Sequence, residues 1–196
     1  MRDDAAKTKL VYFGTGNKHK FAEVVEILKD YPLRVEQIDA KGKEIQSDSI
    51  EEIARESVTN SALAAKLPVF VEDTGLYIQN LNGFPGPYAA YASKTIGLRG
   101  ILLLLRGAND REAVFRSAVA FAAPGMTTTS FSGELKGKVT SSPRGSGGFG
   151  YDSIFEPYGG TGKTLGEMSI SEKSLISHRA TAVKKFAQWY VSKEMG

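Results

Sequence analysis

The 196-residue chain contains no cysteine. That absence removes a disulfide framework, a thiolate nucleophile and any cysteine-held zinc or iron–sulfur centre. Histidine is almost as scarce: His19 and His178 are the only two, so a multi-histidine transition-metal site is excluded as well. Any catalytic metal must be held by carboxylates, which favours Mg²⁺, with Mn²⁺ a possible substitute. Long apolar runs are missing too. The longest wholly aliphatic one, Ile101–Leu105, is far short of the roughly 20 residues that cross a bilayer. Met1–Lys9 is polar and has no apolar segment of the kind a secretory signal needs. The expectation is a soluble, cytoplasmic protein with no membrane partner.

A hydrophobic content of 41% is enough for a real core, and 24% charged is ordinary for a globular surface. The net charge of +3 hides a split: residues 1–98 carry 12 basic against 14 acidic side chains, and residues 99–196 carry 13 against 8. Such asymmetry fits either a nucleic-acid surface or one site built from two unlike halves.

Leu10–Phe13 reads as a buried strand ending at Gly14, and Phe21, Val24, Val25 and Leu28 give Lys18–Asp30 helical spacing. Leu33–Ile38 alternates like a strand. Ser49 can cap a helix running to about Lys66, and Val69–Val71 is a short strand leading into Glu72-Asp73-Thr74-Gly75. This is an α/β opening. Asn80–Pro87 is loop-rich, and Gly97–Gly107 encloses a short apolar helix. Ala113–Ala122 and Thr127–Lys136 read as long strands, Ser141–Gly150 as a Gly/Ser loop and Tyr151–Phe155 as a short strand. One amphipathic helix is expected from Ser169 to Lys193. Residues 1–8 read as an N-terminal extension and 9–196 as a single catalytic domain, whose strand-rich middle forms a second lobe across a cleft.

Three glycine-rich stretches compete as phosphate loops. Pro157–Thr164, PYGGTGKT, has Pro157 where a P-loop requires glycine. Gly145, Gly147 and Gly150 match G-x-G-x-x-G, but a loop precedes them and a strand-like segment follows, so the dinucleotide reading fails. Gly148-Phe149-Gly150-Tyr151 also echoes an RNA-binding strand, but Asp152 repels phosphate. What remains there is an aromatic face among glycines, able to stack a base. Gly14-Thr15-Gly16-Asn17-Lys18-His19-Lys20 has the right context, since it joins a strand to a helix N-terminus that favours an anion. Glu72-Asp73 after a strand, and Glu44 before Ile45, are candidate Mg²⁺ ligands, and alternation turns only one of the 72–73 pair towards a cleft. Lys173, Ser174, Ser177, His178 and Arg179 form a last polar cluster.

Together these segments resemble the inosine triphosphatase family, the dITP/XTP pyrophosphatases. The resemblance is carried by Thr15-Gly-Asn-Lys-His-Lys20, Glu44-Ile-Gln46, Val71-Glu-Asp-Thr-Gly-Leu76 and Gly83-Phe-Pro-Gly-Pro-Tyr88. Gly148-Phe-Gly-Tyr-Asp152, Glu172-Lys173 and Ser177-His-Arg179 complete it, in the family's order, from about residue 9 to 192. It implies an α/β protein with an elongated mixed sheet flanked by helices and two lobes around a nucleotide-binding cleft, usually a homodimer. The implied reaction is Mg²⁺-dependent cleavage of ITP, dITP and XTP to the monophosphate and pyrophosphate, which clears them from the nucleotide pool. In that reading Thr15, Gly16, Asn17, Lys18, His19 and Lys20 cradle phosphates, and Glu44 and Asp73 bind the metal. Asp73 also accepts the proton of the attacking water, and Thr74 touches substrate. Phe149, Gly150, Tyr151 and Asp152 line the base pocket with Phe149 stacked on the purine. Lys173 contacts substrate, while His178 and Arg179 read the oxygen at purine position 6.

Three departures stand out. Thr74 replaces a common Ser, Ser153 replaces a common proline, and Arg55–Thr59 lacks a lysine that some members carry. Two other readings stand beside this one: a hydrolase preferring a different base, such as a modified pyrimidine, and a non-catalytic RNA-binding module. The paired carboxylates argue against the second, so no nucleic-acid partner is expected.

Overall fold

A computed structural model describes residues 8–39 and 45–193. Strand β1 (Lys9–Gly14) buries Val11 and Phe13, and its chain turns into helix α1 (Lys18–Leu28). Strand β2 (Leu33–Ile38) returns parallel to β1. Helix α2 (Ile50–Ala65) starts where the Ser49 side chain accepts the Glu52 N–H, and it stops at Lys66, whose backbone is left-handed at φ 55°. Strand β3 (Val69–Ile78) lies parallel to β1 at its start, pairs with the two-residue β4 (Pro85–Gly86), and then leads to helices α3 (Ala89–Thr95) and α4 (Gly97–Leu104). Strands β5 (Glu112–Ala122), β6 (Thr129–Val139) and β7 (Phe155–Pro157) extend the sheet antiparallel, and helices α5 (Ile170–Ile176) and α6 (His178–Ser192) close the chain. The strand order is β2-β1-β3-β5-β6-β7 with β4 beside β3, so the mixed sheet is parallel at one side and antiparallel at the other. None of the helices is long and apolar enough to cross a membrane among the described residues.

Pleating decides which side chains meet which helices. Val11, Phe13, Phe70 and Phe121 point to α1 and α6, packing on Phe186 and Tyr190. Phe13 stacks on Phe70 with centroids 4.6 Å apart. Val69, Val71, Ala118 and Ala120 face α2 through Ala54 and Val58. A third cluster, around Leu76, Phe115, Ile101 and Phe155, supports the far end of the sheet. Lys9 Nζ donates to the carbonyls of Tyr190 and Val191 at the end of α6, at 3.4 and 2.9 Å, tying first strand to last helix.

Four expectations need correction. The strand expected to end at Val71 runs on to Ile78. Gly75 does not end it: a Cβ there would lie 2.9 Å from the Gly86 carbonyl oxygen and 2.7 Å from the Tyr77 ring, so the glycine is needed for close approach of β4. Tyr151–Phe155 is a 3₁₀ turn over Asp152–Ile154, and only Phe155–Pro157 is strand. The single closing helix is two. Ser177 is extended, its N–H donates to Lys173 O, and its hydroxyl accepts from Ala180 N–H, so it ends α5 and caps α6. The loop-rich middle contains α3, whose Ala-rich segment folds because Ala89 and Ala92 are buried.

Candidate active site

A cleft of about 710 Å³ opens where β1 ends and β3 continues. The Gly14–Asn17 turn, the Glu72–Thr74 stretch of β3, the Ala54/Ser57 face of α2, α3, the Phe149–Asp152 turn and the start of α6 wall it. Helix α6 reaches it because Gly133 of β6 has no side chain, since a Cβ there would lie 2.2 Å from His178 O.

The anion turn is built as its sequence demands. Asn17 Oδ1 accepts from the N–H groups of His19 and Lys20 at 2.9 and 3.2 Å, and Thr15 Oγ1 accepts from Asn17 N–H at 3.1 Å. The cap therefore occupies two amides that a bare turn would offer to an anion. Thr15, Gly16, Asn17 and Lys20 line the cleft. Lys18 and His19 are exposed and lie off its wall, but the His19 ring stacks on Phe149 at 5.3 Å.

Alternation along β3 sends Glu72 and Asp73 to opposite faces. Glu72 turns to α1 and α6 and is sealed there. Lys20 Nζ lies 2.9 Å and Arg179 Nε 3.2 Å from its Oε2, Ser117 donates at 2.7 Å, and Thr74 donates to the same Oε1. Burial opposes ionisation of Glu72, but Arg179, Lys20 and the two hydroxyls outweigh it and hold the carboxyl well below the usual carboxylate range. Beneath this, the buried Glu23 binds both Lys173 and Arg179, and Lys173 also reaches Asp152 at 2.7 Å. Arg179 Nη2 donates to Thr74 Oγ1 at 3.0 Å. Lys173 therefore sits under the wall rather than on it.

The Phe149 wall depends on the same cluster. Asp152 Oδ2 accepts the Phe149 N–H at 3.0 Å, so the carboxylate expected to face a base spans its own turn and Lys173. Lys173 Nζ and Arg179 Cζ lie 5.6 and 5.5 Å from the Phe149 ring centre. Tyr151 OH donates to Ala89 O at 2.9 Å, tying this turn to α3, and burial pushes the phenol up to about 12. His178 is buried, stacks on Phe115 at 4.6 Å, and neither of its ring nitrogens has a hydrogen-bond partner among the described residues. Burial first, then the Arg179 charge, push its imidazole well below the ordinary value, so it is neutral, with one donor and one acceptor at the cleft.

Asp73 is half-buried on the cleft wall, and its Oδ1 accepts the Thr74 N–H at 3.0 Å. Its hard oxygens suit a divalent cation shared with phosphate. Glu44 lies outside the described residues, and no group of three or more His, Cys, Asp or Glu able to hold a metal occurs among the described ones.

Glu23, Ser117, Ser57 and Lys94 were missed by sequence reasoning. Glu23 did leave a signal: an acid beside Val24 and one turn before Ile27, on the buried side of α1.

Comparison with known proteins covers nearly the whole chain. The Ham1 family matches residues 11–189. A Methanopyrus kandleri protein named dITP/XTP pyrophosphatase is 47% identical over 186 residues, 95% of this chain and 98% of that one. Its namesake from Methanothermobacter marburgensis is 46% identical over 180 residues, 92% and 95% of the two chains. Among solved structures, the Staphylococcus aureus Ham1 protein is 30% identical with a TM-score of 0.81, covering 95% of this chain and 100% of its own. A Coxiella burnetii HAM1 protein gives 25% and 0.78, with 94% and 99% covered.

Proposed function

The chain belongs to the Ham1 family, and from that premise we propose that it is a nucleoside triphosphate pyrophosphatase acting on ITP, dITP and XTP. The observation that carries the reading is a half-buried carboxylate, Asp73, in one cleft with the imidazole of His178, which is buried, neutral and without a hydrogen-bond partner among the described residues. The first suits water activation, the second recognition of a polar base edge.

The purine lies on Phe149, with the exposed His19 ring moving aside from that face. His178 meets the oxygen at purine position 6 with its ring N–H, whereas an amine there would leave the buried donor unpaired. Arg179 stiffens this wall, its nitrogens being engaged by Glu23, Glu72 and Thr74, and it turns to the base only by releasing the Thr74 hydroxyl. The Thr15–Lys20 turn cradles phosphate through its remaining amides and Lys20. Asp73 orients water and takes its proton as the water oxygen bonds to the α-phosphorus. The bridging oxygen leaves with pyrophosphate, and the monophosphate stays on the purine side. Mg²⁺, held by Asp73 and Glu44 and replaceable by Mn²⁺, neutralises triphosphate charge when bound. A cytoplasmic homodimer completes the reading.

The test is a product assay over common and deaminated triphosphates, with and without Mg²⁺. Pyrophosphate from ITP and XTP, little from ATP, and silence with chelator are expected. Asp73→Asn should lower turnover by about 10²–10⁴-fold while nucleotide still binds by calorimetry. Orthophosphate release from ITP would sink the proposal.

A further inference from the structure

The charges on the cleft wall are not equally available. Among the described residues Lys20, Lys94 and Arg179 line it, facing Glu72, Asp73 and Asp152. Lys20 and Arg179 both bind Glu72, and Arg179 binds Glu23 as well. Lys173, below the wall, holds Glu23 and Asp152. A polyphosphate entering the cleft therefore meets cations whose charge is largely balanced from behind.

Lys94 differs. It is exposed on the wall and makes no ion pair or side-chain hydrogen bond among the described residues. Its placement is built in. Ala89 and Ala92 pin one side of α3 in the core, which leaves Ala90 and, one turn on, Lys94 along the cleft. The Tyr151 OH to Ala89 O bond fixes the same helix to the turn that carries Phe149.

We propose that Lys94 binds the β- and γ-phosphates of the substrate, the part that departs as pyrophosphate. The inference rests on the pyrophosphohydrolase reading above. The Phe149 wall and Asp73 fix the nucleoside and the α-phosphorus, so the surplus negative charge lies beyond them. That charge is carried by the bound substrate and by the departing pyrophosphate alike, and an uncommitted ammonium attracts it in both.

The experiment compares wild type with Lys94→Met, which keeps the apolar stem, and Lys94→Arg, which keeps the charge. The readouts are KM for ITP, inhibition by pyrophosphate, inhibition by IMP, and the melting temperature as a check on folding. Lys94→Met should raise KM and weaken pyrophosphate inhibition, each by about 10-fold, the effect of losing one charge-assisted contact. IMP inhibition should stay within about twofold, and Lys94→Arg should recover most of the loss, because the ammonium acts on the leaving half alone. Unchanged pyrophosphate inhibition in a normally melting Lys94→Met protein overturns the inference and leaves the activity standing. So does equal weakening by IMP and pyrophosphate. If wild type releases no pyrophosphate from ITP, the activity itself is wrong and this inference falls with it.

Discussion

Glu23→Gln tests whether the cleft stands on a charge-balanced foundation. Lys20, Lys173 and Arg179 are matched there by Glu23, Glu72 and Asp152. Glu23 is 5% exposed, Lys173 4% and Arg179 3%, so water screens these charges little. The substitution keeps shape and most hydrogen-bonding capacity but leaves one buried cation in excess. Breaking a buried pair costs about 3–5 kcal/mol. Lys173 keeps Asp152 at 2.7 Å and Arg179 keeps Glu72 at 3.2 Å, which places the loss near the lower end, about 3 kcal/mol. For a chain of this length each kcal/mol moves Tm by about 2–4 °C, so calorimetry should show a fall of roughly 6–12 °C. Adding Lys173→Met restores neutrality, and the double variant should be more stable than Glu23→Gln alone, with a coupling of about 1–3 kcal/mol in urea unfolding. A Tm loss under about 2 °C, or a double variant no better than the single, would refute the reasoning.

The depressed imidazole of His178 makes stability pH-dependent in one direction. Below its ordinary value of about 6.5 the unfolded chain takes a proton that the folded chain refuses, so stability present at pH 7–8 is lost as pH falls. His178→Gln should flatten the fall in Tm between about pH 6.5 and 5, and an unchanged slope counts against this. Gly133→Ala places a methyl group 2.2 Å from His178 O and 2.7 Å from Ala182 N. The expected loss is about 1–3 kcal/mol in urea unfolding together with a raised KM for ITP, because α6 must shift; an unchanged midpoint and KM would contradict the packing argument.

Helix α2 was legible because its signals are local: Ser49 caps it and Pro68 follows its end. The strand-to-helix turn at Gly14–Asn17 was legible for the same reason, a strand, two glycines and Asn17 before a helix. What the chain concealed depends on distant partners. Gly75 looks like a turn residue until β4 is laid against it. Ser177 looks like a polar position within one amphipathic helix, and only the close seat of α6 on Gly133 shows why the chain bends there. Glu23 meets Lys173 and Arg179 across 150 and 156 residues of sequence, so no spacing rule reaches it. Helical periodicity does put it on the inner side of α1, a signal the sequence reading did not use. The split of charge between the two halves of the chain is likewise resolved in space, where acids of the first half neutralise cations of the second.

Strand β3 pairs with β5 at ten consecutive positions, from Val69 opposite Ala122 to Ile78 opposite Ala113, and the cleft residue Asp73 lies within that span. A mouth that hinged across this strand would have to tear the ladder to open. The sheet is therefore a fixed floor, and any opening or closing of the cleft falls to what is mounted on it. Helix α3 and the Phe149 turn are mounted on that floor and latched together by the Tyr151 hydroxyl. Under the proposed reaction, Tyr151→Phe, which removes this latch, should change the product-release rate more than the rate of the chemical step in single-turnover kinetics.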